Sequence, residues 1–600
     1  PCPRTPTRRM ALSGAMPPTT PPEGTLKNCG ACAPLPQRGR GVGGEGHLGH
    51  PKIPSVAAGS DAPSAPEPLL SMRIAPMAHV IVASDELLCT TPNDCGCAEY
   101  RRPPDQPWRP LVNDCGFWDE RGARRQSVTD HGRLVAHPLL QMLPLAQDYK
   151  LAFVPSYGHV AVLDAEAAAL VAQLPLGQRA LRDDEAAALQ QLAHAGLVGE
   201  QPTPHIPPPP APTTLVAWLH LTSACNLRCG YCYVAQERVA MAPATAHRAV
   251  DAVLAAALRH GYRNVLLKYG GGEPLLQLPL LLEVQRRAQA AAQAQGVQLA
   301  GAVLSNGVLL DAAAAAQLAE AGLSLMVSLD GPPALHDAQR PTAGGKPSFA
   351  AARRGLHLAR RAGVAVNVGI TVTAANIAAL PEFVALLLAE ELPFSFSLYR
   401  QPVAGADLAA DAEAIIAGMR RVYAVVAAQP PRWSVLGALL DRTHAGVAYQ
   451  RSCAAGEHYM VVDPHGGVAR CQMSLDEPLS SIIAADPLGD IRRSQRGAYN
   501  IPVDGKSGCR TCGWRYWCGG GCPVATYRAT GCHSAPSPHC AVYQALLPDL
   551  LRLEGLRMLY WHQRLHIHAQ PPTIDQVAHT PVAELIQRLR RNGEAAAMLR

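Results

Sequence analysis

Three cysteines in one short stretch carry the clearest chemical signal of this 600-residue chain. Cys225, Cys229 and Cys232 have the spacing CxxxCxxC within SACNLRCGYCY. Three thiolates at this spacing can hold three irons of a four-iron cluster and leave the fourth iron open. An open iron can bind a substrate or cofactor, as a catalytic zinc keeps one position free. A zinc site, a disulfide and chance spacing are the alternatives, and the aromatic residue before the last cysteine favours the cluster.

Three further segments follow these cysteines in order. Residues 270–274 read GGGEP after the apolar run NVLLKY, and residues 305–307 read SNG after another apolar run. Ser328 and Asp330 then close the run LMVSLD, and Arg340 comes ten residues after Asp330. Glycine suits a binding turn because backbone without a Cβ can approach a ligand closely. Each segment alone is a weak signal, but their order together with the cysteines is specific.

This set of motifs resembles that of the radical S-adenosylmethionine (SAM) superfamily. The resemblance implies that the GGEP turn takes the amino group of SAM with its backbone, and that an aromatic residue lies near the adenine. It implies contacts to the ribose and carboxylate from Ser328 and Arg340. The cofactor-binding residues it assigns are Tyr231, Gly271, Gly272, Glu273, Asn306, Ser328 and Arg340.

A second set of cysteines fills the C-terminal part and resembles the SPASM extension of peptide-modifying radical SAM enzymes. That resemblance implies two auxiliary four-iron clusters, and so three [4Fe-4S] clusters in the chain. One auxiliary cluster would be bound by Cys509, Cys512, Cys518 and Cys540, and the other by Cys453, Cys471 and Cys522. Tyr459 stands where some relatives have a fourth cysteine, and Cys532 is left unassigned. A zinc ribbon is the alternative for Cys509 to Cys522.

Composition narrows the class of protein. The net charge is +6 and no basic block points to nucleic acid. We see no apolar run that could span a bilayer and no signal peptide, so we expect neither nucleic acid nor membrane as a partner. Ten of the 18 cysteines sit at cluster spacings, which favours a reducing cytoplasm over disulfides.

The first 200 residues divide into three parts. Residues 1–71 are rich in Pro, Gly, Ala and Ser, and we interpret them as disordered or as a spurious extension, with Met72 or Met77 as the true start. Residues 72–148 read as a poorly ordered segment. The cysteines in these parts show no convincing metal pattern: Cys2, Cys29, Cys32, Cys89, Cys95, Cys97 and Cys115.

Residues 149–200 predict two strands around a Ser-Tyr-Gly turn, followed by two helices, with Asp164 capping the first. This order resembles the small winged-helix element that binds leader peptides at a sheet edge in ribosomal peptide maturation. An unrelated packing domain is the alternative. A Pro-rich linker follows at 201–213 and would space this element from the next domain.

Residues 214–400 alternate six apolar runs with Ala- and Leu-rich helical segments, which predicts a parallel sheet with crossover helices. The fold class is therefore α/β, with a partial (β/α)6 barrel, the iron–sulfur SPASM domain at 451–545 and the small winged-helix-like domain before the barrel. Residues 401–450 are predicted as a helical bridge and 546–600 as a C-terminal helix and tail. The motif residues follow strand ends, where α/β barrels carry their active sites.

The resemblance implies an enzyme that reductively cleaves SAM to a 5'-deoxyadenosyl radical and crosslinks or oxidises a ribosomally made peptide or protein. It also implies an electron donor such as flavodoxin or ferredoxin. Gln472 stands where the sulfatase-maturing branch has an acidic base, and a neutral amide cannot take a proton. Formylglycine formation on a sulfatase is thus the less favoured alternative, unless a carboxylate from 401–450 serves. The sequence identifies no general base, and a zinc-stabilised binding protein is the alternative of another class.

Overall fold

The structure is a computed structural model that describes residues 80–82, 131–145, 148–155, 160–202, 212–400, 408–445 and 448–561. The predictions for residues 1–71, and for Cys89, Cys95, Cys97 and Cys115, lie outside these residues. The described residues belong to one compact unit, 76–600. None of the described helices has both the length and the apolarity needed to cross a bilayer.

The first described elements form a small α/β domain. Its elements are β1 (Val80–Val82), β2 (Val135–Ala136), β3 (Gln141–Pro144), β4 (Lys150–Phe153), β5 (Val160–Leu163), α1 (Ala165–Ala172), α2 (Asp183–His194) and β6 (Val198–Gly199). Strands β1, β5, β4 and β3 form an antiparallel sheet in that order, and β2 pairs with β6. The predicted strand–strand–helix–helix order of 149–200 is present, and Asp164 Oδ1 accepts a hydrogen bond from Ala167 N at 2.8 Å.

Residues 131–145 differ from the prediction of a poorly ordered segment. They contain β2 and β3, and Leu134 is fully buried in the core of the small domain. The prediction was wrong here because the apolar side chains of this stretch complete a sheet whose central strands come from later in the chain. Strand pairing between distant segments leaves little local signal in a sequence.

The small domain packs on the C-terminal part of the chain. The Phe153 ring on β4 is fully buried, with its centroid 6.0 Å from Trp514 and 5.9 Å from Trp517. Leu145 and Leu151 lie against Gly555, where an added Cβ would come within 2.8 Å and 3.1 Å of their methyl carbons. The small domain is therefore joined to the rest of the protein by an apolar interface as well as by its linker.

The central element is the predicted partial barrel. Its strands are β7 (Thr214–Thr222), β8 (Asn264–Gly271), β9 (Gln298–Ser305), β10 (Ser324–Ser328), β11 (Val366–Val372) and β12 (Phe394–Leu398). Its helices are α3 (Pro243–Arg259), α4 (Leu278–Ala294), α5 (Ala312–Glu320), α6 (Pro333–Gln339), α7 (Phe349–Arg361) and α8 (Leu380–Ala389). The six strands pair in parallel in chain order, and β12 does not close onto β7, so the barrel is open.

Local sequence explains these elements. All nine residues of β7 are buried, as expected for a parallel strand covered on both faces. Proline occupies the first turn of several helices, where its missing N–H has no intrahelical partner to lose. Asp311 Oδ1 caps α5 by accepting a hydrogen bond from Ala314 N at 2.8 Å.

The C-terminal part is built from short elements. They are α9 (Ala412–Ala428), β13 (Tyr459–Val462), β14 (Gly467–Ala469), β15 (Ser480–Ser481), α10 (Pro487–Arg493), α11 (Arg515–Cys518), α12 (Pro523–Thr530) and α13 (Cys540–Trp561). Strand β13 pairs in parallel with β7, so this part extends the barrel sheet. The predicted helical bridge is helical only over α9; the described residues after it form turns and loops up to β13. The prediction of helix was wrong for the described residues between α9 and β13, because their apolar side chains are buried without helical periodicity.

Candidate active site

One cavity opens at the carboxyl ends of the barrel strands. Its lining includes the three cysteines after β7, the glycines after β8, Asn306 after β9 and Ser328 at the end of β10. Among the predicted site residues, those that line it are Cys225, Cys229, Cys232, Tyr231, Gly271, Gly272, Asn306, Ser328 and Arg340. The parallel sheet brings them to one edge because the carboxyl ends of parallel strands meet there.

Asp330 organises one wall of this cavity. Its Oδ2 atom accepts a hydrogen bond from Arg340 Nε at 2.7 Å and another from the Tyr231 hydroxyl. Its Oδ1 atom accepts from Thr371 N at 2.9 Å. The Arg340 guanidinium lies 5.2 Å from the centre of the Tyr231 ring, and its Nη1 atom lies 3.9 Å from Cys229 Sγ. A fully buried carboxylate thus fixes a cation and an aromatic ring beside the cysteines.

Glycine lets the turn after β8 approach the cysteine loop. Gly272 N donates to Thr222 O at 2.7 Å, and Glu273 N donates to Ala224 O at 2.9 Å. A Cβ on Gly272 would lie 2.1 Å from Ala224 O. Gly271 has φ +127°, a backbone conformation that other residues rarely adopt. The two turns therefore form one unit, and a larger residue in either would displace the segment that leads into Cys225.

Glu273 occupies a different place from the other predicted cofactor residues. Its carboxylate is fully buried and accepts hydrogen bonds from Leu275 N, Ser305 Oγ and Asn306 N at 3.1, 2.8 and 2.9 Å. Burial raises the pKa of Glu273 to about 7, although these hydrogen bonds oppose the rise. Its side chain points behind the cavity wall and does not line the cavity. It holds the β8 and β9 turns together.

The three cysteines of the first set lie close to one another. Burial raises the pKa of Cys229 to about 12; the Arg340 charge opposes this rise, and the charges of Cys225 and Cys232 add to it. The loop is pinned to the segment after α6, because Arg228 N donates to Pro341 O at 2.8 Å. Buried thiols of raised pKa are neutral at pH 7 unless a metal takes their protons. This donor set fits a metal cluster.

The other cysteines fall into two groups by the same electrostatic criterion. The pKa of Cys471 is raised to about 12, mainly by burial. The charges of Cys522 and Cys453 act in the same direction. Burial likewise raises the pKa of Cys518 to about 12, with added effects from the other members of its set. The partners that act on Cys518 are Cys509, Cys512 and Cys540. These electrostatic neighbours are compatible with the two ligand sets that the resemblance implies, which stay predictions.

The structure places Tyr459 and Cys532, to which the sequence assigned no ligand role. Tyr459 begins β13 and donates from its hydroxyl to Gln472 Oε1 at 3.2 Å. Cys532 is disulfide-bonded, with its Sγ atom 3.3 Å from Ser534 Oγ, and so differs from the ten free cysteines of the predicted cluster sites. Within the described residues, no three His, Cys, Asp or Glu side chains converge tightly enough to hold a single metal ion. The cluster ligands therefore stay predictions.

The cavity has a second wall that sequence reasoning missed. It is formed by residues at and after the end of β12, by Arg442 in the loop after α9, and by Gln472 and Met473 of the C-terminal part. The β12 contribution consists of Ser395, Ser397, Leu398, Tyr399 and Arg400. Arg400 could have been found from its place after a barrel strand. Arg442 carries no sequence signal because it stands in a loop without periodicity.

The described part of the cavity lining offers no carboxylate or imidazole that could accept a proton. Among the residues that the structure describes, no Asp, Glu or His lines the cavity. Asp441 is the carboxylate that the 401–450 region places nearby, but it is 2% exposed and ion-paired to Arg400 at 2.6 Å. Three arginines line the cavity instead: Arg340, Arg400 and Arg442.

Comparison with known proteins agrees with the barrel motifs. Residues 219–386 match the family model of the radical SAM superfamily. The chain is 31% identical over 180 residues to the Fe-coproporphyrin III synthase of Methanosarcina barkeri. This match covers 30% of this chain and 42% of that protein. It is 26% identical over 350 residues to a serine-type anaerobic sulfatase-maturating enzyme of Klebsiella aerogenes, covering 55% of this chain and 83% of that protein.

Among solved structures, the chain is similar to native anSMEcpe with bound AdoMet, with a TM-score of 0.47 and 17% identity. That match covers 57% of this chain and 99% of the other. The matched family region runs from the end of β7 into α8 and contains the first cysteine set and the turns that meet it. The chain thus contains a radical SAM domain over residues 219–386.

Proposed function

We propose that this protein is a radical SAM enzyme that modifies a ribosomally made peptide or protein. The observation that carries the proposal is that one cavity is lined by the cysteine set, by most of the residues assigned to SAM and by residues of the C-terminal part. Residues of the first wall would hold the cofactor, and residues of the second would hold the substrate. The sulfatase-maturating relative supports a peptide substrate.

The residues fit the cofactors. Cys225, Cys229 and Cys232 would hold the first cluster, which together with SAM supplies a 5'-deoxyadenosyl radical when bound. Arg340, held by Asp330, places a cation where the carboxylate of SAM would lie, and the Tyr231 ring offers a face for the adenine.

The two further cysteine groups would hold auxiliary clusters beside the substrate wall. Cys471 directly precedes Gln472 and Met473, which line the cavity. We assign Cys453, Cys471 and Cys522 to one cluster and Cys509, Cys512, Cys518 and Cys540 to the other. We place the protein in a reducing compartment such as the cytoplasm because the ten predicted cluster ligands are free cysteines. An electron donor of the flavodoxin or ferredoxin type would reduce the clusters.

The small domain would recognise the substrate. Strand β3 is an edge of its sheet and, among the described strands, pairs with β4 alone. A peptide can add to such an edge through backbone hydrogen bonds. Because Phe153 and Leu151 of this domain are buried in the main core, deletion of residues 1–200 would expose apolar surface of the remaining chain. Substitutions on β3 are the better test of recognition.

There are three alternatives to this proposal. A sulfatase maturase is compatible with the match to the Klebsiella aerogenes enzyme, but it needs a base, and the described cavity lining offers no carboxylate or imidazole. A zinc-stabilised binding protein would not need the cavity residues that are assigned to SAM. A small-molecule substrate is compatible with the similarity to the Fe-coproporphyrin III synthase, which extends over 30% of this chain.

The test is the cleavage of SAM by the anaerobically reconstituted chain with dithionite as reductant. The proposal predicts 5'-deoxyadenosine from the unaltered protein and none from Cys229→Ala. Gly230→Ala is the matched control in the same loop, since an added Cβ there meets nothing within 4 Å. Equal cleavage by Cys229→Ala and the unaltered protein would overturn the assignment.

A further inference from the structure

The second wall of the cavity carries two buried arginines from distant parts of the chain. Arg400 follows β12, and Arg442 lies in the loop after α9. Their side chains are only 10% and 7% exposed. A guanidinium that lines a cavity can offer its N–H donors to an anionic group of a ligand.

Asp441 positions both guanidiniums. Arg400 Nη2 donates to Asp441 Oδ2 at 2.6 Å, and Arg442 Nε lies 3.7 Å from Asp441 Oδ1. Both arginines thus lie beside the same carboxylate. Arg400 Nη1 also donates to Leu398 O at 3.1 Å, which directs its head along the strand end toward the cavity.

The backbone at Arg442 is strained. Its φ angle is +57°, in the left-handed region that arginine seldom adopts. Such strain persists where the surrounding structure enforces it, often at binding sites. Here it accompanies an arginine side chain that lines the cavity.

We infer that Arg400 and Arg442 form an anchor for a carboxylate of the peptide substrate. The inference rests on the proposed function and adds its substrate chemistry: an acidic side chain or a free C-terminus beside the residue that reacts. Arginine suits this role because its planar donors match the two oxygens of a carboxylate. The described lining contains no carboxylate that would repel such a group.

The test measures peptide binding to the reconstituted, SAM-loaded protein by anaerobic calorimetry. The probes are a blocked alanine pentapeptide with one central glutamate, the same peptide with glutamine, and the glutamine peptide with a free C-terminal carboxylate. At least one carboxylate peptide should bind about 10- to 100-fold more tightly than the blocked glutamine peptide. Which of the two does so identifies the source of the carboxylate.

The variants are Arg442→Gln and Arg400→Gln, each of which should remove the preference. Arg353→Gln is the control, because Arg353 pairs with Glu390 outside the cavity lining and should keep it. If Arg442→Gln loses iron, Arg442→Lys and Arg400→Gln decide the outcome. Equal affinity for all three peptides, no binding of any peptide while SAM still binds, or a preference that survives both glutamine variants would overturn the anchor. If the unaltered protein did not cleave SAM in the absence of peptide, that result would instead contradict the proposed function.

Discussion

Arg340 and Asp330 form a buried ion pair at the cavity wall, with Arg340 Nε 2.7 Å from Asp330 Oδ2. Asp330 is fully buried and the Arg340 side chain is 10% exposed. The same carboxylate receives the Tyr231 hydroxyl and the backbone of β11. The pair therefore couples three barrel segments to the position assigned to SAM.

Asp330→Asn should weaken SAM binding and destabilise the protein. The change leaves a buried guanidinium without its counter-charge, which typically costs about 3–5 kcal/mol of unfolding free energy. Equilibrium dialysis of SAM and urea denaturation measure the two effects. Asp251→Asn is the control, because the Arg287–Asp251 pair is exposed, and it should leave both values nearly unchanged. Unaltered SAM affinity in Asp330→Asn would contradict the role of the pair.

Gly272→Ala should reduce the iron bound by the first cysteine set. The new Cβ would fall 2.1 Å from Ala224 O and push on the segment that leads to Cys225. Iron analysis after reconstitution measures the result, with Gly230→Ala as the unhindered control. Full iron content in Gly272→Ala would show that the two turns are not coupled.

Glu273→Gln should change the pH dependence of stability. Burial raises the pKa of Glu273 from 4.5 to about 7, so the folded state keeps a proton that the unfolded state releases between these values. Stability from this group is present below pH 4.5 and is lost as the pH rises toward 7, by about 3 kcal/mol in total. Glutamine cannot titrate, so the difference in urea midpoint between the two proteins should move in favour of the variant from pH 5 to pH 7.5. A constant difference would contradict the raised pKa.

Lys506→Met should make the potentials of both auxiliary clusters more negative. Lys506 is 2% exposed, and its Nζ atom donates to Gly520 O at 2.9 Å. Burial lowers its pKa, while charges on cysteines of both auxiliary groups raise it, so the ammonium is close enough to act on both groups. Loss of a positive charge near a cluster disfavours its reduced form. Redox titration followed by electron paramagnetic resonance should show both shifts, and the exposed Lys346→Met variant should show neither.

The sequence predicted the barrel better than the substrate wall. Apolar runs such as that of β7 mark buried parallel strands, and the motif residues follow their ends, so the positions of Cys225 and Ser328 could be anticipated. The direction of a side chain could not be anticipated in the same way. The GGEP motif predicts a turn, but the Glu273 side chain does not line the cavity. Arg442 is brought to the site by a loop, whose path depends on tertiary packing.

The most direct test of the central claim is the metal content of the chain after anaerobic purification and cluster reconstitution. Three four-iron clusters predict about twelve irons per chain with matching sulfide, and about eight in Cys229→Ala together with loss of 5'-deoxyadenosine formation. Zinc without iron, or unchanged iron and SAM cleavage in Cys229→Ala, would contradict the account.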